Sequence, residues 1–151
     1  MTTTKELNYQ QCTQAIQSLL QDETDLIANM ANVAAELHHT FHFWWTGFYR
    51  VVNRELILGP FQGPTACTHI AYGRGVCGSA WKEQRTLIVP NVEEFPGHIA
   101  CSSASKSEIV VPLFDTNKNI YAVLDIDSQH LAHFDETDQR YLEHIATLLH
   151  P

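Results

Sequence analysis

Two of the four cysteines in this sequence sit where a packed thiol is not expected. In FPGHIACSSASKSEIVVPL, residues 95–113, Cys101 follows a Gly-His step and precedes a run of small polar residues. A structural cysteine more often lies inside an apolar stretch, where it packs as a small hydrophobe. Cys67, in TACTH, has the same polar surroundings. Loops of this composition supply the exposure and the environment that favour thiolate. Cys77, in the apolar-leaning GVCG at a helix start, fits the reading as a buried thiol well, and Cys12 reads as a packed helix residue. Nine residues separate Cys67 from Cys77 and twenty-three separate Cys77 from Cys101, so there is no short Cys-x-x-Cys pair of the kind that builds structural zinc sites. His69 and His98 keep a mixed Cys/His metal site as a minor alternative; no metal and no cofactor is expected.

Carboxylates form the second group. Asp125 and Asp127, in VLDIDS, are two apart on an expected strand and therefore share a face, with Leu124 and Ile126 turned to the other. Glu108 stands at the mouth of the strand SEIVVPLF. Neighbouring carboxylates repel, which raises the pKa of one of them and makes it a candidate proton donor. The competing reading is solvated charges at strand ends. Trp44 and Trp45 are adjacent, so one is expected on each side of its strand, and Tyr49 shares the face of Trp45.

The elements that must position these residues are legible as patterns. Ala15, Ile16, Leu19 and Leu20 give a first helical stripe; Leu26, Ile27, Met30, Val33, Ala34 and Leu37 give a second, entered at the DETD turn. From residue 43 the chain turns to short apolar strands. FWWTGFYRVV and ELILGPF form a hairpin around Asn53 and Arg54, and RTLIVP, SEIVVPLF and NIYAVLDIDS follow, the last two joined by DTNKN. A short helix is predicted over 76–83, and a final one begins at HFDETD with Asp135 as N-cap and a stripe of Tyr141, Leu142, Ile145, Leu148 and Leu149. Terminal helices flanking a mostly antiparallel sheet make an α+β fold, expected as one domain over 1–151.

Composition bounds the partners. The chain has 151 residues, 44% of them hydrophobic and 17% charged, which suits a globular core of ordinary size. Nine Lys and Arg against 17 Asp and Glu leave a net charge of −8. No basic stripe is present, so neither nucleic acid nor an anionic membrane is an expected partner. The opening MTTTKELNYQQCTQ lacks the apolar segment of a signal peptide, and the expected location is cytoplasmic. Four cysteines in a reducing compartment fit catalysis or metal binding better than structural bridges.

The order of elements, with FDETD opening a last helix after a long strand, resembles a GAF domain. At residue level, GPFQGPTACTHIAYGRGVCG, FPGHIACSSASKSEIVVPL and VLDIDS together resemble the free methionine-(R)-sulfoxide reductase family of GAF-like enzymes, from about Trp44 to the final helix. The loop DTNKNIYAVLD departs from the family's glycine-containing turn. The resemblance implies thiol-dependent reduction of free methionine (R)-sulfoxide, with Cys101 as nucleophile and Cys67 as resolving thiol. It leaves Cys77 as a second resolver or as a partner that exchanges roles. It also implies a substrate pocket of Glu108, Asp125 and Asp127 walled by Trp45 and Tyr49, a disulfide reset by a thioredoxin-like dithiol, and a leaning towards a homodimer. The turns GPFQG and GRG are candidates for holding the substrate carboxylate through backbone amides. Two readings from other classes stand beside the enzyme: a sensory ligand-binding module and a thiol redox sensor without turnover.

Overall fold

Two helices open the chain, α1 (Thr4–Leu20) and α2 (Leu26–Phe41), in a computed structural model that describes residues 1–98 and 104–151. Each begins where a side chain replaces a missing backbone partner: Thr3 accepts from the Glu6 N–H and Asp25 from the Ala28 N–H. The buried face of α1 is Tyr9, Cys12, Thr13 and Ile16, and Leu19 is exposed, which corrects the expected stripe. The cause lies outside the helix. Tyr9 stacks on Tyr141 and donates its hydroxyl proton to buried Asp138, turning the helix so that this residue faces inward. Ile27, expected in the stripe of α2, is likewise exposed.

Among the described residues six strands follow, with α3 (Gly75–Glu83) between them: β1 (Trp45–Val52), β2 (Glu55–Gln62), β3 (His69–Ala71), β4 (Leu87–Val89), β5 (Ser107–Phe114) and β6 (Ile120–Ser128). They pair antiparallel throughout, in the order β3-β2-β1-β6-β5-β4. The β1–β2 hairpin turns on Asn53 and Arg54, both at positive φ, as a two-residue turn matched to strand twist requires. At the β5–β6 turn, Asp115 Oδ1 accepts from the Asn117 and Asn119 N–H groups. The edge strand β3 is three residues long, too short to show a period in sequence.

The last helix, α4 (Glu136–Ala146), carries a reciprocal cap between Asp135 and Asp138. It stops at Ala146, so Leu148 and Leu149, expected in its stripe, lie beyond its end; Leu149 is still buried.

The sheet is covered on both faces. Phe48, Ile109, Val111, Leu124 and Ile126 pack with α1, α2 and α4 in one core. Trp45, Tyr49, Val110 and Val123 face a second, smaller core closed by Val76, Cys77 and Ala80 of α3. This two-sided burial is why β5 reads as a nearly continuous apolar run. Among the described residues, no helix is long and apolar enough to cross a membrane.

Candidate active site

The α3 face of the sheet collects the polar residues that the alternation of β5 and β6 turns away from the larger core. Glu108 lies directly opposite Asp127 across the β5–β6 ladder, and Asp127 opposite Trp45 across β6–β1. One step along, Asp125 sits between Val110 and Gly47. The expectation that Asp125 and Asp127 share a face, with Leu124 and Ile126 in the core, matches the observed packing. Solvated strand-end charge does not describe them: Glu108 is 7% and Asp125 6% exposed, with Asp127 half-buried.

Gly47 determines how the aromatic wall stands. A Cβ there would lie 2.7 Å from Trp45 Cη2 and 2.3 Å from Phe61 Cβ, so only glycine lets the indole lie across the strand. Trp45 then stacks between Tyr49, at 5.9 Å, and Phe61, at 5.2 Å. Its Nε1–H donates to the Pro64 carbonyl, and the Tyr49 hydroxyl donates to the Cys67 carbonyl at 2.9 Å. These two bonds tie the β2–β3 loop, with Cys67, to the wall. Trp44 corrects the expectation of one tryptophan per face: β1 starts at Trp45, and Trp44 precedes it and packs against the same cluster.

The GRG segment forms the turn into α3, with Gly73 and Gly75 at positive φ. Gly78 packs against the preceding strand so closely that a Cβ would meet the Ala71 carbonyl oxygen at 2.6 Å. That contact sets the first turn of α3 over the carboxylates, and Arg74, Gly75, Val76 and Cys77 line the cleft. GPFQG is different from expectation. Gly59–Gln62 continue β2, and only Gly63 turns, so its amides belong largely to the sheet.

Cys77 is buried, as its apolar setting suggested, and its Sγ lies 4.0 Å from Glu108 Oε2. Burial, reinforced by the neighbouring carboxylates, holds its thiol well above the ordinary range. Cys67 is half-buried in its loop and is not a free thiol, whereas Cys12 and Cys77 are free. Cys101 lies outside the described residues.

Burial also raises all three carboxyl groups. Glu108 and Asp127 stand well above the carboxylate range, pushed further by the charge of Asp125. Asp125 is raised by burial, but hydrogen bonds from Glu108, Cys77 and Asp127 oppose the shift. Three buried carboxyl groups this close do not all ionise together, so the trio keeps at least one proton. Such a group can bind a cation and hold an acidic proton at once.

Residues that sequence reasoning passed over also face the cleft. Ser105 Oγ donates to Asp127 Oδ1 at 3.3 Å, and Thr65, Ala66, Ile70 and Arg74 add to the lining, as does His98, considered above only as a metal ligand. Arg74 had a signal, being the one cation in GRG. Ser105 had none, because a serine in SSASKS is indistinguishable from its neighbours.

Comparison with known proteins gives a consistent result. The GAF domain family model matches residues 21–150. GAF domain-containing protein A of Dictyostelium discoideum is 57% identical over 96% of this chain and 92% of its own length. The free methionine-R-sulfoxide reductase of Escherichia coli (strain K12) is 42% identical over 87% of this chain and 80% of its own. The X-ray structure of free methionine-R-sulfoxide reductase from Neisseria meningitidis in complex with its substrate superimposes with a TM-score of 0.90 at 53% identity, covering 93% of this chain and 84% of that one.

Proposed function

The chain belongs to the free methionine-(R)-sulfoxide reductase family of GAF-domain proteins, and on that premise we propose how its residues reduce free L-methionine (R)-S-oxide. The observation that carries the reading is the trio Glu108, Asp125 and Asp127, buried under an aromatic wall and beside the first turn of α3. The ammonium of a free amino acid supplies the positive charge that the trio lacks. Its carboxylate meets the N–H groups that open α3, and Arg74 at the rim. The methyl sulfoxide end of the side chain lies against Trp45 and Tyr49, an aromatic wall that suits its methyl group and polarised sulfur.

The chemistry follows from these positions. The Cys101 thiolate attacks the sulfoxide while a protonated carboxyl, Glu108 or Asp127, gives its proton to the oxygen. The S=O bond breaks, methionine leaves with the sulfur electron pair, and the oxygen remains on the enzyme as a Cys101 sulfenic acid. The Cys67 thiol then displaces that oxygen as water and forms a Cys67–Cys101 disulfide. A thioredoxin-like dithiol supplies the two electrons and two protons that restore both thiols. The tether from Tyr49 to the Cys67 carbonyl, and the absence of a free thiol at Cys67, support this choice of resolving residue. Cys77, buried and held protonated, is the weaker alternative. A cytoplasmic location fits a cycle that needs a dithiol donor, and a homodimer is the assembly proposed.

Consumption of racemic methionine sulfoxide with dithiothreitol tests the reading. Half should disappear and the rest persist, marking one sulfur epimer. Cys101→Ser should form no methionine even in a single turnover, because a hydroxyl is far less nucleophilic than a thiolate. Cys67→Ser should form one equivalent and then stall with thioredoxin as donor. Persistent thioredoxin-dependent turnover in Cys67→Ser would move the resolving role to Cys77. No consumption by the intact protein would return it to the sensory readings.

A further inference from the structure

Cys77 has no step of its own in the mechanism above, yet it stands in the pocket beside two acids. The potential ligand atoms of Cys77, Glu108 and Asp125 all lie within 4.8 Å of one another, on residues that line the cleft. Asp125 is 6% exposed, and its Oδ1 is fully buried without a hydrogen-bond partner. A buried carboxylate oxygen left in that state is costly, and it points to a ligand that completes it.

We infer that Cys77 Sγ, Glu108 and Asp125 form a binding site for a thiophilic divalent cation, zinc above all, that excludes the substrate ammonium from the pocket. One sulfur and two oxygens suit zinc rather than magnesium or calcium, which take oxygen only. In a tetrahedral zinc site with bonds of about 2.3 Å to sulfur and 2.0 Å to oxygen, sulfur and oxygen stand about 3.5 Å apart. Cys77 Sγ and Glu108 Oε2 are 4.0 Å apart, so a shift of about half an ångström closes that pair, and the pairs with Asp125, within 4.8 Å, close with side-chain shifts of at most about 1.5 Å. On binding, the thiol proton and any carboxyl proton leave to solvent. The resulting thiolate and two carboxylates outweigh the 2+ charge of the metal, and the fourth position opens to the cleft for water. Metal binding itself is independent of the activity; the exclusion of substrate rests on the proposed reading of the pocket.

Cobalt(II) is a direct probe, because a cobalt–thiolate bond absorbs in the near ultraviolet. The titration uses the full chain as Cys67→Ser/Cys101→Ser, under reducing, anaerobic conditions, with folding checked by circular dichroism. One equivalent of cobalt should produce the band, and zinc should bleach it. Adding Cys77→Ser should abolish it, with Cys77→Ala as the substitute if the serine variant does not fold. Loss of an outer-shell partner alone weakens metal affinity roughly 10- to 100-fold, so Asp125→Asn, which removes a ligand, should weaken cobalt by at least about tenfold. Methionine (R)-sulfoxide should raise the apparent cobalt Kd. No band in the folded protein, or a band that survives loss of Cys77, overturns the site. A normal band unaffected by sulfoxide overturns the exclusion while leaving the metal site standing. Failure of the metal-free protein to turn over sulfoxide would count against the proposed activity without touching the cobalt result.

Discussion

Replacing Gly47 with alanine should damage both the fold and the pocket, through one methyl group. The added Cβ would stand 2.3 Å from Phe61 Cβ, 2.7 Å from Trp45 Cη2 and 2.9 Å from Trp45 Cζ3. Separations of 3.5–4.0 Å are the favourable ones for carbon, so both neighbours must move by about an ångström or more. Phe61 Cβ is fixed to the backbone of β2, and the indole is held between two stacked rings and the Pro64 carbonyl. Overpacking of this kind costs about 1–3 kcal/mol. For a chain of this length that lowers Tm by about 2–12 °C. The Trp45 ring must swing off the strand, so its near-ultraviolet dichroism should change, and kcat/KM for the free sulfoxide should fall at least about tenfold, the equivalent of 1.4 kcal/mol. Gly59→Ala is the control. Its Cβ would meet the Phe48 carbonyl oxygen at 3.1 Å and the flexible Arg50 side chain at 3.4 Å, a strain relieved by a few tenths of an ångström. Thermal melts and kinetics of the two variants decide the matter. A Gly47→Ala protein that melts within a degree of wild type, with an unchanged tryptophan signal, would refute the argument that this glycine shapes the wall.

Other perturbations probe the remaining parts. Asp125→Asn keeps the shape but removes a charged hydrogen-bond acceptor worth about 1.5–3 kcal/mol, so kcat/KM should fall roughly 10- to 150-fold; Glu108→Gln and Asp127→Asn should fall too, and near-normal rates in all three would remove the carboxylates from the site. N-acetyl-methionine sulfoxide, lacking the ammonium, should be turned over at least about tenfold less efficiently than the free amino acid, and equal kcat/KM would mean an open site. His133 is held below its ordinary pKa by burial, with Lys5 and His130 acting in the same direction and Asp138 opposing them. Folding therefore favours its neutral form: the stability it contributes is complete above about pH 6.5, the unfolded value, and declines as pH falls through the folded one. Urea titrations at pH 7.5 and 5.5 should show His133→Asn losing less stability on acidification than wild type, and parallel losses would contradict this.

Much of this molecule is decided locally, and so was legible in the sequence. The strands SEIVVPLF and NIYAVLDIDS, the DETD turn into α2, the cap at Asp135 and the Asn53–Arg54 turn follow from period, side-chain chemistry and turn geometry over a few residues. Strand alternation alone put Asp125 and Asp127 on one face and Leu124 on the other. What the sequence could not fix is what that face meets. The buried side of α1 turned on a bond from Tyr9 to Asp138, 129 residues away. Trp44 and Trp45 ended on one side because β1 begins between them, and Gly47 mattered only once Phe61 of the next strand was placed against it. Above all, Asp125 departs from an ordinary surface carboxylate only because antiparallel pairing and the Gly78–Ala71 contact bring Glu108 and Cys77 to it. Desolvation and Coulomb interaction depend on distance in space, and a sequence records only distance along the chain.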